Sequence, residues 1–178
     1  IWADEDAEYL SEMTFDLSEL VPVIAAPHAV DHVKPVTELE GLSVDQCLLG
    51  TCTNGRLSDF VEAARILKGK TVSPDTRLLI LPASRSVMRE AMKAGVIDTL
   101  VEAGGVLLPP GCGPCLGAHQ GALAPGEKCI STANRNFKGR QGSPTGRTVL
   151  MSPLMVAAAA IRGSIADARE VFALGAPT

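Results

Sequence analysis

Aromatic residues are scarce in this sequence: they make up 3% of its 178 residues, although 46% of the residues are hydrophobic. The core must therefore be built from Ala, Val, Leu and Ile, which suits buried parallel strands covered by Ala-rich helices. The length allows one substantial domain with its own hydrophobic core. Long apolar runs are also missing, and the longest, Leu154 to Ile161, is far too short to span a bilayer.

The sequence has fewer basic residues, 16 Lys and Arg, than acidic ones, 20 Asp and Glu. The net charge is −4 at pH 7, so nothing indicates a bulk attraction to nucleic acid or to an anionic membrane, and we expect neither as a partner. The first residues are acidic, where a secretory signal would be basic and then apolar, so no signal peptide is predicted. The chain begins at Ile1 rather than Met, and we interpret it as a piece of a longer protein or a processed chain.

The five cysteines are an odd number and have no small disulfide-rich framework around them. A reducing cytoplasm is therefore predicted rather than secretion, and free or metal-bound thiols are expected. Cys47 and Cys129 lie within predicted strands, and we interpret them as buried apolar residues. His28 and His32 are assigned no chemistry.

Strand and helix patterns alternate along the chain at short spacing. This predicts an α/β domain over residues 20–178, with a mostly parallel sheet flanked by helices. Residues 1–19 are acidic and polar and are predicted to be a surface segment or linker. Val21 to Ala25 is predicted to be a short edge strand, because Pro22 is poorly tolerated in a central one. The other predicted strands are 46–50, 77–81, 106–108, 129–132 and 148–151, and the predicted helices are 58–68, one from Ser84 or Ser86 to 94, 96–103, and 153–162 with Ser152 as its cap.

Three small polar segments each follow a predicted strand. They are Thr51 to Arg56, Gly111 to Gly117, and Ala133 to Arg140. In open α/β sheets, functional sites lie beyond the carboxyl ends of the strands. We therefore expect the three segments to meet in space although they are far apart in sequence.

The second segment carries Cys112 and Cys115. Two cysteines two residues apart can direct both sulfurs at one metal centre, and thiolates select zinc, copper(I) or iron–sulfur clusters. By itself the pair fits a redox dithiol or a structural zinc half-site as well as it fits an iron–sulfur cluster. With Cys52 and His119 it would make a non-catalytic zinc module, although His119 also fits a polar helix residue near the site.

The third segment carries Arg135 and Arg140 together with Asn134. Guanidinium groups match carboxylates with two parallel hydrogen bonds, so such a loop fits an anion site. A basic loop considered alone is more often a solvated surface.

Taken together, the three segments resemble the aconitase superfamily. The family pattern is a Cys-Thr-Asn cysteine, then Cys-x-x-Cys, then Asn-Arg-Asn-Phe-x-Gly-Arg, and the resemblance runs over about residues 20–172. The runs Gly-Cys-Gly-Pro-Cys-Leu-Gly and Gly-Arg-Gln-Gly look closest to the large subunits of 3-isopropylmalate dehydratases and homoaconitases. The chain resembles the third domain of the family, which bears the cluster. The matching residues are Cys52-Thr53-Asn54, Cys112 to Cys115, and Asn134 to Arg140.

The resemblance implies a [4Fe-4S] cluster held by Cys52, Cys112 and Cys115, with one iron open to substrate. It implies that a 2-hydroxy dicarboxylate or tricarboxylate is bound by the third segment. It also implies, as partners, a small subunit and the remaining large-subunit domains. The family's base and acid lie in those parts, so no catalytic residue is assignable here. The implied substrate-binding residues are Asn134, Arg135 and Arg140, and Asn54 is expected either to hydrogen-bond a cluster sulfur or to cap its loop.

The activity implied by the resemblance is that of a hydro-lyase, the 3-isopropylmalate dehydratase of leucine biosynthesis. Homoaconitase of lysine biosynthesis and a citramalate or dimethylmalate dehydratase stay open as alternatives. These enzymes differ in the substrate side-chain group, which in this family is read largely by the small subunit.

Overall fold

The computed structural model describes residues 2–173. The strands are β1 Val23–Ala25, β2 Val33–Pro35, β3 Gln46–Gly50, β4 Arg77–Leu81, β5 Val106–Leu107, β6 Lys128–Ser131 and β7 Arg147–Leu150. The helices are α1 Thr51–Asn54, α2 Leu57–Leu67, α3 Arg85–Lys93, α4 Val96–Glu102, α5 Pro153–Arg162 and α6 Ala168–Ala173. Short 3-10 turns occur at Leu17–Glu19, Val36–Glu38 and Gly113–Leu116.

The strands of the described region form one seven-stranded sheet in the order β2-β1-β7-β6-β3-β4-β5. From β7 to β5 every neighbouring pair is parallel, whereas β1 runs antiparallel to both β2 and β7. A mostly parallel sheet flanked by helices was predicted, and the structure confirms it. The predicted strands after the first and the four predicted helices are all present, with ends that agree to within one or two residues.

The prediction for the first strand was wrong in one respect. β1 is not an edge strand, because it lies between β7 and β2. Pro22 stands just before β1 rather than within it, so its missing N–H removes no hydrogen bond from the ladder, and its carbonyl accepts from Val36 N at 3.0 Å. The edge strand on this side of the sheet is β2, which has only three residues and ends in Pro35. Such a strand lacks the alternating pattern that makes longer strands recognisable.

The two faces of the sheet are covered differently. Alternate residues of a strand point to opposite faces, and in β3 Cys47 and Leu49 join the larger core while Leu48 joins a smaller one. The larger core contains the apolar sides of α2, α4 and α5. Ser152 caps α5 by accepting from Met155 N at 3.4 Å, and Pro153 occupies its first turn, as predicted.

The connection from β5 to β6 covers the other face. Because β5 lies at one end of the sheet and β6 lies on the far side of β3, this connection has to cross back over β4 and β3. Its residues Leu108, Cys115 and Leu123 pack against Leu48 and Leu79 in the smaller core. The crossing thereby carries the Cys-x-x-Cys turn to the end of β3, which α1 and Cys52 follow.

Residues 2–20 contribute little to either core. Residues 2–20 are almost all exposed, and the only regular feature among them is the turn Leu17–Glu19. That they form a separate segment or linker stays a prediction. No helix found between residues 2 and 173 has both the length and the apolarity needed to cross a membrane.

Candidate functional site

The three cysteines singled out in the sequence line one cavity of about 250 Å³. Cys52 reaches it from α1, directly after β3, and Cys112 and Cys115 reach it from the β5–β6 connection. Thr51, Ala83 and Gly111 complete the lining. The cavity therefore lies beyond the carboxyl ends of β3 and β4, where sites of open α/β sheets are expected.

Close approach of two strands sets the position of Cys52. Gly50 has a φ of +118°, and a Cβ at that position would stand 2.1 Å from the carbonyl oxygen of Leu81, so only glycine fits. The hydroxyl of Thr132 donates to Gly50 O at 2.8 Å and accepts from Gly50 N at 2.7 Å. This pair of hydrogen bonds fixes the end of β3, and α1 begins at the next residue.

The Cys-x-x-Cys turn is a 3-10 turn over Gly113–Leu116 with Pro114 in its first part. Cys112 is exposed and Cys115 is buried. Gly117 ends the turn in the left-handed region, and a Cβ there would stand 2.6 Å from Gly142 N. Glycine at this position lets the turn lie directly against the chain that follows the third polar segment.

Hydrogen bonds tie the third segment to the other two. Arg140 Nε donates to the carbonyl oxygen of Cys115 at 3.0 Å. Asn54 Nδ2 donates to the carbonyl oxygen of Thr132 at 2.7 Å. Thr132 immediately precedes the third segment, so that segment begins beside the first and bonds to the second, although none of its residues lines the cavity. The bond made by Asn54 caps its loop, and its predicted contact with a cluster sulfur stays a prediction.

Arg135 and Asn134 are placed less centrally, and neither they nor Arg140 line the cavity. Arg135 is exposed, donates to the carbonyl oxygen of Asn134 at 2.7 Å, and lies with its guanidinium carbon 6.0 Å from the ring centre of Phe137. Asn134 is half-buried, and its Oδ1 is buried without a hydrogen-bond partner among residues 2–173.

Asn136 is important for the loop and was not singled out from the sequence. Its side chain is fully buried and its Nδ2 donates to the carbonyl oxygen of Ala26 at 2.8 Å, with longer bonds to those of Ala25 at 3.3 Å and Ala29 at 3.2 Å. Asn136 therefore fastens the loop between the two arginines to the turn after β1. A buried asparagine has no signature in a single sequence, and the only signal that could have found it is its place in the Asn-Arg-Asn run.

Burial and charge act in opposite directions on Cys115. Burial raises the pKa of the Cys115 thiol, and the neighbouring Arg140 guanidinium, by hydrogen bonding and by its charge, opposes that rise. Cys47 and Cys129 are fully buried, as predicted. Burial raises the pKa of Cys47 well above its usual value and raises the pKa of Cys129 to about 12. Those two thiols therefore stay protonated at neutral pH.

His119 does not join the cysteines in lining the cavity. It is exposed and follows the 3-10 turn in a loop with a φ of +41°, so its interpretation as a helix residue was wrong. Its ring packs toward Gly113. Within residues 2–173 no three His, Cys, Asp or Glu side chains are arranged to hold a metal ion.

Comparison with known proteins adds a family assignment. A family model described as the aconitase family (aconitate hydratase) matches residues 1–163. Among curated proteins, the 3-isopropylmalate dehydratase large subunit 2 of Archaeoglobus fulgidus is 58% identical over 168 residues, which are 94% of this chain and 40% of that protein.

Two further relatives carry different names. A probable methanogen homoaconitase large subunit of Methanosarcina mazei is 53% identical over 171 residues, 96% of this chain and 43% of that protein. The 3-isopropylmalate dehydratase large subunit 1 of Deinococcus radiodurans is 51% identical over 176 residues, 99% of this chain and 41% of that protein. The chain thus spans about two-fifths of the length of the curated relatives it matches.

Proposed function

The chain belongs to the aconitase family, and we propose that it serves as the cluster-bearing domain of a hydro-lyase large subunit. The proposed reaction is the stereospecific dehydration and rehydration of a 2-hydroxy dicarboxylic acid. We propose 3-isopropylmalate, in leucine biosynthesis, as the substrate, because most of the similar curated proteins carry that name. Homoaconitase activity is the second candidate, since other relatives of similar identity are named as homoaconitase large subunits.

The observation that carries the proposal is the cavity lined by Cys52, Cys112 and Cys115. In a [4Fe-4S] cube each thiolate binds a different iron, so the ligand sulfurs stand about 6–7 Å apart and surround a volume instead of meeting at one point. Three thiols from two separate connections around a cavity fit that requirement. A single zinc ion would instead need all its ligand atoms within about 2.3 Å of one point, a tighter arrangement than the cube requires.

Two further features of the cavity fit a cluster. Cys115 is buried, whereas Cys52 and Cys112 are exposed, so the cavity they line can be entered from solvent. All five cysteines are free thiols. A reducing compartment such as the cytoplasm keeps them available as ligands, and we propose that location.

When bound, the cluster would supply an open iron that acts as a Lewis acid on the substrate hydroxyl. The chain's own residues would orient the substrate. Asn134, Arg135 and Arg140 are the proposed carboxylate-binding residues. Within residues 2–173 neither guanidinium is paired with a carboxylate, which leaves both charges available to an anion. The base and the acid are proposed to come from a small subunit and from the rest of the large subunit.

Anaerobic reconstitution of the 178-residue chain with ferrous iron and sulfide tests the cofactor. We expect a brown protein with four irons per chain, and no zinc bound in their place when both metals compete. The activity is tested separately, with the chain joined to the remaining large-subunit domains and mixed with a small subunit. Such an assembly should dehydrate 3-isopropylmalate faster than homocitrate, citramalate or dimethylmalate. The chain alone should show no turnover, and detectable turnover by it would contradict the domain assignment.

A further inference from the structure

The residue before Cys52 has an unusual backbone. Thr51 has a φ of +79°, in the left-handed region that β-branched residues rarely adopt. The conformation is imposed from both sides. Gly50 approaches the end of β4 so closely that no side chain fits there, and a Cβ at Gly55 would stand 2.4 Å from the carbonyl oxygen of Thr51. Glycine would adopt this conformation without strain, so the presence of threonine indicates that the side chain has a use.

The hydroxyl of Thr51 has no protein partner. The residue is 1% exposed, and its Oγ1 is buried without a hydrogen bond to any other residue between 2 and 173. Buried polar atoms in proteins nearly always have a partner. The neighbouring hydroxyls follow that rule, since Thr132 bonds to Gly50 and Ser131 accepts from Ala133 N at 3.0 Å. Among the buried side-chain hydroxyls of residues 2–173, Thr51 is the exception, and it lines the same cavity as the three cysteines.

We propose that Thr51 is a positioning residue whose hydroxyl donates a hydrogen bond to a sulfur atom held in this cavity. The acceptor is an inorganic sulfide or a cysteine thiolate of the cluster. This inference rests on the proposed function. A sulfide and a thiolate carry lone pairs and negative charge but no proton, so they need a donor, and a hydroxyl is one. Hydrogen bonds to the sulfurs stabilise the more negative, reduced cluster, and they are one of the factors that set its reduction potential.

Two substitutions separate the hydroxyl from the shape of the side chain. Thr51→Val keeps the β-branched form and the same backbone strain but removes the donor, whereas Thr51→Ser keeps the donor. Both are measured in the full 178-residue chain after anaerobic reconstitution with iron and sulfide. The readouts are the reduction potential of the cluster and the rate of iron release in air-saturated buffer.

Thr51→Val should shift the reduction potential to a more negative value and speed iron release about fivefold, the factor that one hydrogen bond of ordinary strength is worth. Thr51→Ser should match the parent chain in both measurements. Thr51→Gly relieves the backbone strain and also lacks the donor, so it should show the same shift as Thr51→Val. It keeps the test decisive if the valine variant folds poorly.

Thr76→Val is the matched control. Thr76 is also buried, and its hydroxyl donates to the carbonyl oxygen of Val44 at 2.8 Å. It stands just before β4, at the amino end of that strand, whereas the cavity lies beyond the carboxyl end. This variant should be less stable but should leave the potential unchanged. An unchanged potential and unchanged iron release in both Thr51→Val and Thr51→Gly would overturn the inference and show that the hydroxyl bonds only water. Failure of the parent chain to take up iron would overturn the proposed function as well.

Discussion

The guanidinium of Arg140 holds the backbone of Cys115, because its Nε donates to the cysteine's carbonyl oxygen at 3.0 Å. This bond joins the third polar segment to the Cys-x-x-Cys turn. Arg135 belongs to the same loop but donates to its own neighbour, Asn134, and lies in solvent over Phe137. The two arginines are alike in sequence, but only Arg140 supports a proposed cluster ligand.

Replacing each arginine by lysine should therefore give different results. Arg140→Lys removes the Nε donor, so the Cys115 turn loosens and iron is lost faster from the reconstituted chain. Arg135→Lys should retain iron as the parent does.

In the assembled enzyme both variants should lose kcat/KM by about 30- to 1000-fold, because lysine keeps the charge but not the two-pronged carboxylate contact, worth about 2–4 kcal/mol. Iron content and steady-state kinetics are measured on the same preparations. Equal iron retention in both variants would show that the bond to Cys115 is unimportant for the cluster, and unchanged kinetics would return the loop to a solvated surface.

The five cysteines should fall into two groups when each is changed to serine. Cys52→Ser, Cys112→Ser and Cys115→Ser should each lose most of the iron, because each removes a proposed ligand. Cys47→Ser and Cys129→Ser should keep the iron but unfold more easily, by about 1–3 kcal/mol, since they bury a hydroxyl in an apolar core. Iron per chain and urea unfolding are the measurements. Equal iron loss from all five would show that the ligands are misassigned.

The parts of the fold that were predicted correctly have strong local signals. The buried run of β4, Arg77–Leu81, and the Ser-Pro entry to α5 each follow from a few adjacent residues. β2 was missed because three residues ending in Pro35 carry no periodic pattern. β1 was misplaced because its position in the sheet depends on that unrecognised partner. Order within a sheet is decided by pairing between distant segments, and a local pattern contains little of that information.

The site shows the same division between local and distant information. The two-residue spacing of Cys112 and Cys115 is visible in the sequence. The cavity they share with Cys52 depends on the order of the strands in the sheet. The bond from Arg140 to Cys115 spans 25 positions and depends on where two loops cross. The strained backbone of Thr51 arises from contact between β3 and β4, so nothing in its own segment predicted it.

Asn136 should matter for stability more than either neighbouring arginine. Its amide donates to backbone carbonyl oxygens of the turn after β1, and its side chain is fully buried. Asn136→Ala removes those buried hydrogen bonds and opens a small cavity, so the free energy of unfolding should fall by about 2–3 kcal/mol. Urea unfolding of the cluster-free chain measures this. Arg135→Ala, at an exposed position in the same loop, is the control and should change stability by about 0.5 kcal/mol or less. A similar loss in both variants would mean that Asn136 is not the anchor.

Asp167 should make part of the stability depend on pH. It is 5% exposed and accepts hydrogen bonds from the backbone N–H and the guanidinium of Arg169, at 2.8 Å and 2.7 Å. The side-chain hydrogen bond from Arg169 holds the pKa of Asp167 below its usual value. A carboxyl with a depressed folded-state pKa contributes stability that is fully present above its unfolded pKa of about 3.9. That contribution is lost as the pH falls through the lower, folded-state value.

Asp167→Asn keeps an oxygen that can cap the start of α6, Ala168–Ala173, but loses the charge that faces the Arg169 guanidinium. It should therefore be less stable than the parent at pH 7, by up to about 1 kcal/mol. The difference should shrink as the pH falls below about 4, because the carboxyl of the parent then loses its charge as well. Urea unfolding of the cluster-free chain between pH 2 and 7 measures both variants under the same conditions. Asp75→Asn, at an exposed position without a hydrogen bond or ion pair in the described part of the chain, controls for the loss of one negative charge. A difference for Asp167→Asn that stays constant down to pH 2 would show that packing, and not the charged hydrogen bonds to Arg169, is what this side chain contributes.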